Sequence, residues 1–248
     1  TVPCVISINM LMNEAKMGKG IAGSSSRSYI YVTVFFSIRN IPRPADLNEG
    51  IVALADALRH IDDQRRTHVD QLGEFVRIPS ISAGADTDAR GNLIRAADFL
   101  VGQFGQMGFA AEKVQVSADT NPLVLARSPD FSPDRPTVLI YGHYDVQGVD
   151  NPRAAWEVDP FAAVERDGLL IARGASDNKG PTFAHMKAAE AVLAVGDRLP
   201  VDLVFLVEGE EECGSKAIGQ FVAEGGLDEF APLLCTVISD TSMYGPDR

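Results

Sequence analysis

The sequence predicts an α/β fold, in which helices cover both faces of a mixed, mostly parallel sheet. From residue 46 onward, apolar residues at helical spacing alternate with short segments that are almost wholly apolar. Such continuous apolar runs are typical of strands that are buried on both faces of a sheet. Hydrophobic residues make up 46% of the 248-residue chain and charged residues 23%, which is typical of a globular protein and excludes a disordered or fibrous one.

Two helical regions open this pattern. The first should end before Ile78-Pro79, because proline disfavours a helical conformation of the residue before it. The second should begin after Asp88, a residue suited to cap a helix, and should end at Gly108. The apolar stripes consist of Leu54, Leu58, Ile61, Val69, Leu72 and Val76 in the first region, and of Leu93, Ala97, Leu100, Phe104 and Met107 in the second.

Strands and further helices follow along the chain. Asp167-Gly168 is a turn signal between two strand-like segments, so residues 162–172 should form a hairpin. One helix should follow Pro181, and another should begin at about Ser215. The other strand-like segments are residues 110–117, 121–127, 136–142, 201–207 and 233–239.

Residues 1–44 differ in composition from residues 45–248. They contain a Gly/Ser patch, a run over residues 29–36 that favours β-structure, and a single acidic residue, Glu14. We interpret them as a leader or as a segment outside the main domain, with an ordinary first strand and loop as the alternative.

Charge and cysteine content restrict the partners and the compartment. The chain has 22 Lys and Arg against 34 Asp and Glu, which gives a net charge of −12 and argues against nucleic acid or an anionic membrane as a partner. No uncharged apolar run approaches the roughly 20 residues that a membrane span needs. The three cysteines, Cys4, Cys213 and Cys235, form no CxxC pair and no even disulfide framework, so we expect a reducing, cytoplasmic location.

Side chains able to bind a metal follow the predicted strands. His143 and Asp145 come directly after the strand at 136–142 and point the same way if the backbone is extended. One can then bind an ion while the other orients the imidazole ring. Asp177 precedes the helix at Pro181. A hydrogen-bonded surface histidine and a helix-capping aspartate are the alternative interpretations.

The strand at 201–207 runs into the acidic turn Glu208-Gly209-Glu210-Glu211-Glu212. Four carboxylates in five residues repel one another, so divalent cations are their natural compensation, with a solvated turn as the alternative. Asp240 follows the next strand in the same way. A histidine with several carboxylates suits Zn²⁺, Mn²⁺ or Co²⁺, and Glu211 is a spare carboxylate that could take a proton from a metal-activated water.

The ordered motifs resemble those of the dinuclear zinc/manganese metallopeptidase family that includes carnosinase, cytosolic non-specific dipeptidase, aminoacylase and succinyl-diaminopimelate desuccinylase. The dipeptidase branch is the most similar, and the resemblance extends from about residue 46 to residue 248. It is carried by Tyr141–Gln147, Trp156–Phe161, Arg173–Pro181, Glu211–Ser215 and Ile238–Asp240.

The resemblance implies two divalent ions, Zn²⁺ or else Mn²⁺ or Co²⁺, that share a bridging hydroxide and hydrolyse a peptide bond. His143, Asp177 and Asp240 would hold one ion. Asp177 would bridge to the second ion, which also takes Glu212. The substrate would be a dipeptide or an N-acyl amino acid.

The resemblance also assigns the catalytic roles. Asp145 would orient the histidine ligand, and Glu211 would act as general base and general acid. The peptide bond between Asp177 and Asn178 would be cis.

The sequence departs from the family in two respects. The second ion of the family has a further histidine ligand, to which none of His60, His68 and His185 corresponds. A lid domain that mediates homodimerisation follows the region of Asp240 in the family. We therefore expect residues 45–248 to be the N-terminal part of such a catalytic domain, with little or no peptidase activity on their own. A truncated, inactive relative and an amidohydrolase or deacylase of the same family are the alternatives.

Overall fold

A computed structural model of the chain describes residues 9–10, 30–31, 47–83, 88–150, 156–196 and 198–240. Most of the predicted leader at 1–44 lies outside the described residues. Within it, β1 (Asn9–Met10) and β2 (Ile30–Tyr31) form a two-residue antiparallel pair. No helix in the described part of the chain is long and apolar enough to span a membrane.

From residue 47 onward three helices are followed by five strands, and helices and strands alternate, as predicted, only over residues 179–238. Two short 3₁₀ turns, Glu211–Cys213 and Asp228–Phe230, flank the last helix. The remaining elements are α1 (Leu47–Asp63), α2 (Arg65–Val76), α3 (Ala89–Gln106), β3 (Ala110–Val114), β4 (Leu123–Arg127), β5 (Thr137–His143), β6 (Val164–Arg166), β7 (Leu169–Ile171), α4 (Lys179–Val195), β8 (Asp202–Glu208), α5 (Lys216–Ala223) and β9 (Leu233–Ile238).

The main sheet has five strands in the order β3-β4-β8-β5-β9. β8, β5 and β9 are parallel to one another, whereas β4 runs antiparallel to both of its neighbours, β3 and β8. Four of the five strands therefore run in one direction, which confirms the prediction of a mixed, mostly parallel sheet.

Helices cover both faces of this sheet. Along β8, Phe205 and Val207 belong to a core cluster with buried residues of α2, α3 and α4. Val204 and Leu206 point the other way and pack with Ala217 of α5. Because side chains alternate along a strand, an unbroken apolar sequence fills two separate cores, and each fully buried large side chain contributes roughly 1.5–3 kcal/mol.

The first helical region differs from the prediction. It consists of two helices that break at Gln64, and Leu54 and Leu58 of the predicted stripe are 60% and 43% exposed. Ala57 is the buried residue among the described side chains of α1. Leu72 and Val76 of α2 belong to the core cluster that α2 shares with α3 and α4, whereas no described side chain of α1 does.

Local signals fixed most of the other boundaries. Asp167 and Gly168 have φ angles of 54° and 78°, so β6 and β7 form the predicted hairpin with both turn residues in the left-handed region. Gly108 follows α3 with a φ of 81°. Pro181 is the third residue of α4 rather than the residue before it, which is tolerated because the first N–H groups of a helix have no intrahelical partner.

Candidate metal centre

Three parallel strands deliver the predicted site residues to one edge of the sheet. β5 ends at His143 and β8 ends at Glu208, and these two residues are register partners. β9 ends two residues before Asp240. Asp177 lies in the segment that leads from β7 into α4. Open α/β sheets place their binding sites beyond the carboxyl ends of their strands, and this edge is such a position.

The ring of His143 is buried and directed at a group of carboxylates. Its Nδ1 lies 3.0 Å from the backbone oxygen of Asp145 and 3.3 Å from Asp145 Oδ1, so Nδ1 carries a proton and donates it. Its Nε2 lies 3.1 Å from Asp177 Oδ1, 3.4 Å from Asp240 Oδ2 and 3.9 Å from Glu211 Oε2. Among the described residues, Nε2 has no hydrogen bond of acceptable direction.

This geometry requires a positive charge between the ring and the acids. A neutral imidazole with a proton on Nδ1 turns the lone pair of Nε2 toward three negatively charged groups, and these groups also repel one another. His143, Glu211 and Asp240 each offer a ligand atom, and the three atoms lie within 4.8 Å of one another. One imidazole and several carboxylate oxygens suit Zn²⁺, Mn²⁺ or Co²⁺, so the residues fit a divalent metal ion.

Without a metal, the imidazole itself carries the positive charge. Burial of the ring opposes protonation, but the carboxylates of Asp145 and Asp177 outweigh burial and raise the pKa of His143 to about 11. The same contact with His143 lowers the pKa of Asp177. A metal ion that binds Nε2 must displace the proton that Nε2 carries in the charged ring.

We expect metal binding to release about one proton per protein molecule at neutral pH, because the raised pKa of His143 keeps the metal-free ring protonated. The raised pKa of His143 also means that protonation of the ring stabilises the folded, metal-free protein. This stabilisation is fully present below pH 6.5, the pKa of the ring in the unfolded chain, and is lost as the pH rises toward about 11. Calorimetric titration with Mn²⁺ in two buffers of different ionisation enthalpy measures the released protons. Identical apparent enthalpies in the two buffers would contradict the expectation.

Asp145 does more than orient the histidine. Its carboxylate is fully buried and accepts hydrogen bonds from the backbone N–H groups of Glu211 at 3.2 Å and Glu212 at 3.1 Å. Ser82, in the segment between α2 and α3, donates to the same carboxylate at 2.5 Å. One carboxylate therefore fixes the ring of His143 and the backbone of the acidic turn together. No motif in the sequence indicates the hydrogen bond from Ser82.

Two of the four acids at the end of β8 and in the following turn, Glu208 and Glu210, accept hydrogen bonds from neutral groups of the protein. Glu208 is fully buried and accepts a hydrogen bond from the Tyr141 hydroxyl at 2.7 Å. Glu210 is also buried, and its carboxylate accepts hydrogen bonds from the backbone N–H of Asn121 at 2.6 Å and of Ala217 at 2.9 Å. Neutral donors satisfy both oxygens of Glu210 but only Oε1 of Glu208, whose buried Oε2 has no hydrogen-bond partner among the described residues. The contacts observed for these two acids are therefore with neutral donors rather than with cations.

The other two acids, Glu211 and Glu212, are partly exposed at the edge of the site. The Glu212 carboxylate accepts a hydrogen bond from Gln147 Nε2 at 2.7 Å. Burial raises the pKa of Glu212 despite this hydrogen bond, and the negative charges of Asp177 and Glu211 add to the effect. All six residues proposed from the sequence thus belong to one neighbourhood.

Asn178 connects the elements that surround the site. Its Nδ2 donates to the backbone oxygen of Ser239 at 2.8 Å, and its Oδ1 accepts a hydrogen bond from Thr182 Oγ1 at 2.7 Å. The peptide bond between Asp177 and Asn178 is cis, as the family resemblance implied.

The remaining described histidines lie on the helices α1, α2 and α4. His60 is in the last turn of α1, and His68 is buried in α2, 3.6 Å from Glu190. His185 is buried in α4 with its Nε2 2.7 Å from Ser239 Oγ, and burial lowers its pKa to about 4. None of the three belongs to the group of described side chains that could hold a metal.

Comparison with protein families gives a match over residues 139–244, to the peptidase family M20/M25/M40. The matched segment contains every residue proposed for the site, from His143 to Asp240.

Individual relatives extend the match toward the N-terminus. The Cys-Gly metallodipeptidase dug1 of Schizosaccharomyces pombe is 34% identical over 197 residues, which cover 76% of this chain and 40% of the relative. The Beta-Ala-His dipeptidase of Rattus norvegicus is 33% identical over 196 residues, covering 75% and 39%. The crystal structure of human carnosine dipeptidase 1 is similar with a TM-score of 0.69 at 31% identity, covering 77% of this chain and 42% of that chain. The chain therefore spans about two fifths of the length of these relatives.

Proposed function

Because the chain belongs to peptidase family M20/M25/M40 and to its dipeptidase branch, we propose that it carries the metal centre of an enzyme that hydrolyses dipeptides. The observation that supports this most directly is the buried Nε2 of His143, which lacks a hydrogen bond and faces three carboxylates. The relatives are named as dipeptidases that act on Cys-Gly and Beta-Ala-His, which favours a dipeptide as the substrate.

We assign one ion to His143, Asp177 and Asp240, whose carboxylates lie closest to Nε2 at 3.1 and 3.4 Å. A second ion is assigned to Asp177 and Glu212. Glu211 Oε2 is more distant from Nε2, at 3.9 Å, although Glu211 also belongs to the compact group that could hold a metal. We therefore assign Glu211 to proton transfer rather than to metal binding.

When bound, two ions polarise a substrate carbonyl and lower the pKa of a water molecule toward neutrality. Glu211 would accept the proton of that water on its carboxylate and pass it to the leaving amine. The Asp145 carboxylate, which holds the backbone N–H of Glu211 at 3.2 Å, supports the orientation of this base. Asp145 also keeps the proton of His143 on Nδ1, so that Nε2 stays available as a ligand.

The test is a titration of the 248-residue chain with Mn²⁺, followed by thermal unfolding. A ligand that binds only the folded state stabilises it by about 2.7 kcal/mol at 100 times its dissociation constant, so Mn²⁺ should raise the melting temperature. His143→Ala should abolish this rise, whereas His60→Ala should retain it. A wild-type chain that binds no Mn²⁺, or an equal rise in both variants, would overturn the proposed function.

A further inference from the structure

Gln147 contacts the proposed metal ligand Glu212 from outside the acidic turn. Its Nε2 lies 2.7 Å from Glu212 Oε2 and 3.5 Å from the backbone oxygen of the same residue. The two residues are 65 positions apart in the chain, so the contact depends on the fold rather than on local geometry. Within the described part of the chain, Gln147 is the side chain that donates a hydrogen bond to the Glu212 carboxylate.

The backbone that carries Gln147 is firmly held. The preceding residue, Val146, is fully buried and forms a parallel bridge with Ile81. The backbone N–H of Val146 also donates to Ser80 at 3.0 Å. Gln147 itself is exposed, so its side chain starts from a fixed position and spans the gap to Glu212 at the rim of the site.

The chemistry of an amide suits this place. A lysine would offer a positive charge that competes with a metal for the carboxylate, and a glutamate would add to the repulsion among acids. The neutral N–H of Gln147 instead occupies one oxygen of Glu212 without cancelling its charge. The carboxylate then has a defined orientation while its second oxygen remains available to an ion.

We propose that Gln147 is a positioning residue, which orients the Glu212 carboxylate for metal binding through the hydrogen bond to Oε2. The inference rests on the proposed role of Glu212 as a metal ligand. Gln147 also borders an open cavity with Ala83, Gly148, Asp150 and Arg173. The competing explanation is therefore that Gln147 contacts only the substrate and does not affect metal binding.

The experiment uses Mn²⁺ alone, without substrate, on the 248-residue chain. The titration extends to millimolar Mn²⁺, because two protein ligands bind the second ion only weakly. Glu212→Gln defines the part of Mn²⁺ binding that depends on this ligand. Gln147→Ala and Gln147→Glu should weaken this Glu212-dependent Mn²⁺ affinity by roughly 10- to 100-fold, which is the usual effect of removing a group that orients a metal ligand. The melting temperature of Gln147→Ala in EDTA should equal that of the wild type, because an exposed side chain of this kind contributes little to the fold.

Gln220→Ala is the matched control. Gln220 Nε2 donates to the Glu224 carboxylate at 2.9 Å on α5, so the variant removes a hydrogen bond of the same kind outside the site. Mn²⁺ binding should stay at the wild-type level in this control. If Glu212→Gln weakens binding and the Gln147 variants behave like Gln220→Ala, the positioning role is refuted while the metal centre stands. If Glu212→Gln itself binds Mn²⁺ like the wild type, the ligand assignment fails, and the inference fails with it.

Discussion

Asp177→Ala is expected to abolish the binding of divalent ions to this chain. Asp177 is the proposed bridging ligand, and its Oδ1 is the carboxylate oxygen nearest to His143 Nε2, at 3.1 Å. Mutation of a residue that only hydrogen-bonds to a metal ligand already lowers metal affinity by roughly 10- to 100-fold. Loss of a ligand that is shared by two ions should therefore lower the affinity by more than about 100-fold. Calorimetric titration with Mn²⁺ and metal analysis after gel filtration measure the loss.

The control for this change is Asp98→Ala. The Asp98 side chain is 55% exposed, close to the 58% of Asp177, and it forms a surface ion pair with Lys113. Exposed pairs of this kind contribute about 1 kcal/mol or less, so the control should keep its metal and nearly all its stability. Retention of the wild-type metal content by Asp177→Ala would refute the bridging assignment.

The same electrostatic reasoning predicts how Asp177→Ala affects the metal-free protein. Three carboxylates face His143, and the pKa of its ring is raised to about 11 partly by Asp177. Removing one carboxylate lowers that pKa and therefore weakens the pH dependence of stability. The Asp177→Ala variant should thus both lose its metal and show a lowered pKa of His143.

The central strands β4, β5 and β8 could be predicted from the sequence because burial on both faces leaves a continuous apolar run. β8 is apolar from Leu203 to Val207 since alternate residues enter two different cores. The break between α1 and α2 was missed because no glycine or proline marks Gln64. Periodicity identifies a helix, but it does not reveal which neighbour covers the helix, so the exposure of Leu54 and Leu58 was not foreseen.

The candidate ligands could be predicted for a related reason. A histidine or acid directly after a buried strand stands out against its apolar neighbours, and parallel strands bring such residues to one edge. The partners of Glu208 and Glu210 could not be predicted in this way. The hydroxyl of Tyr141 and the backbone N–H of Asn121 reach them from strand partners distant in sequence, and only the sheet order β4-β8-β5 brings them together.

This division of the acidic turn strengthens the proposed chemistry. If all four acids faced one centre, their repulsion would oppose folding of the metal-free chain. Hydrogen bonds to Glu208 and Glu210 anchor the turn at alternate positions. The residue after Glu210, Glu211, is held by its own backbone N–H, which leaves its carboxylate available to act as a general base.

Glu211→Gln is accordingly expected to abolish hydrolysis while leaving the metal in place. Glutamine keeps the shape of the side chain but cannot accept and return a proton, and loss of a general base costs roughly 10²- to 10⁴-fold in rate. The 248-residue chain alone should show little turnover, because Asp177 and Glu212 are the only protein ligands proposed for its second ion among the described residues. We therefore suggest measuring dipeptide hydrolysis in a chimera, in which this chain replaces the segment it matches in the Schizosaccharomyces pombe dipeptidase.

Metal content distinguishes the two roles open to Glu211. Its Oε2 lies 3.9 Å from His143 Nε2, and it belongs to the compact group with Asp240, so a ligand role is the alternative. A base-only role predicts full metal content with hydrolysis reduced at least 100-fold, whereas a ligand role predicts loss of both together. Glu224→Gln changes an exposed glutamate directly after α5 and should leave both quantities unchanged. Rapid hydrolysis by the Glu211→Gln chimera would exclude Glu211 as the base, since no amide can substitute for a carboxylate in proton transfer.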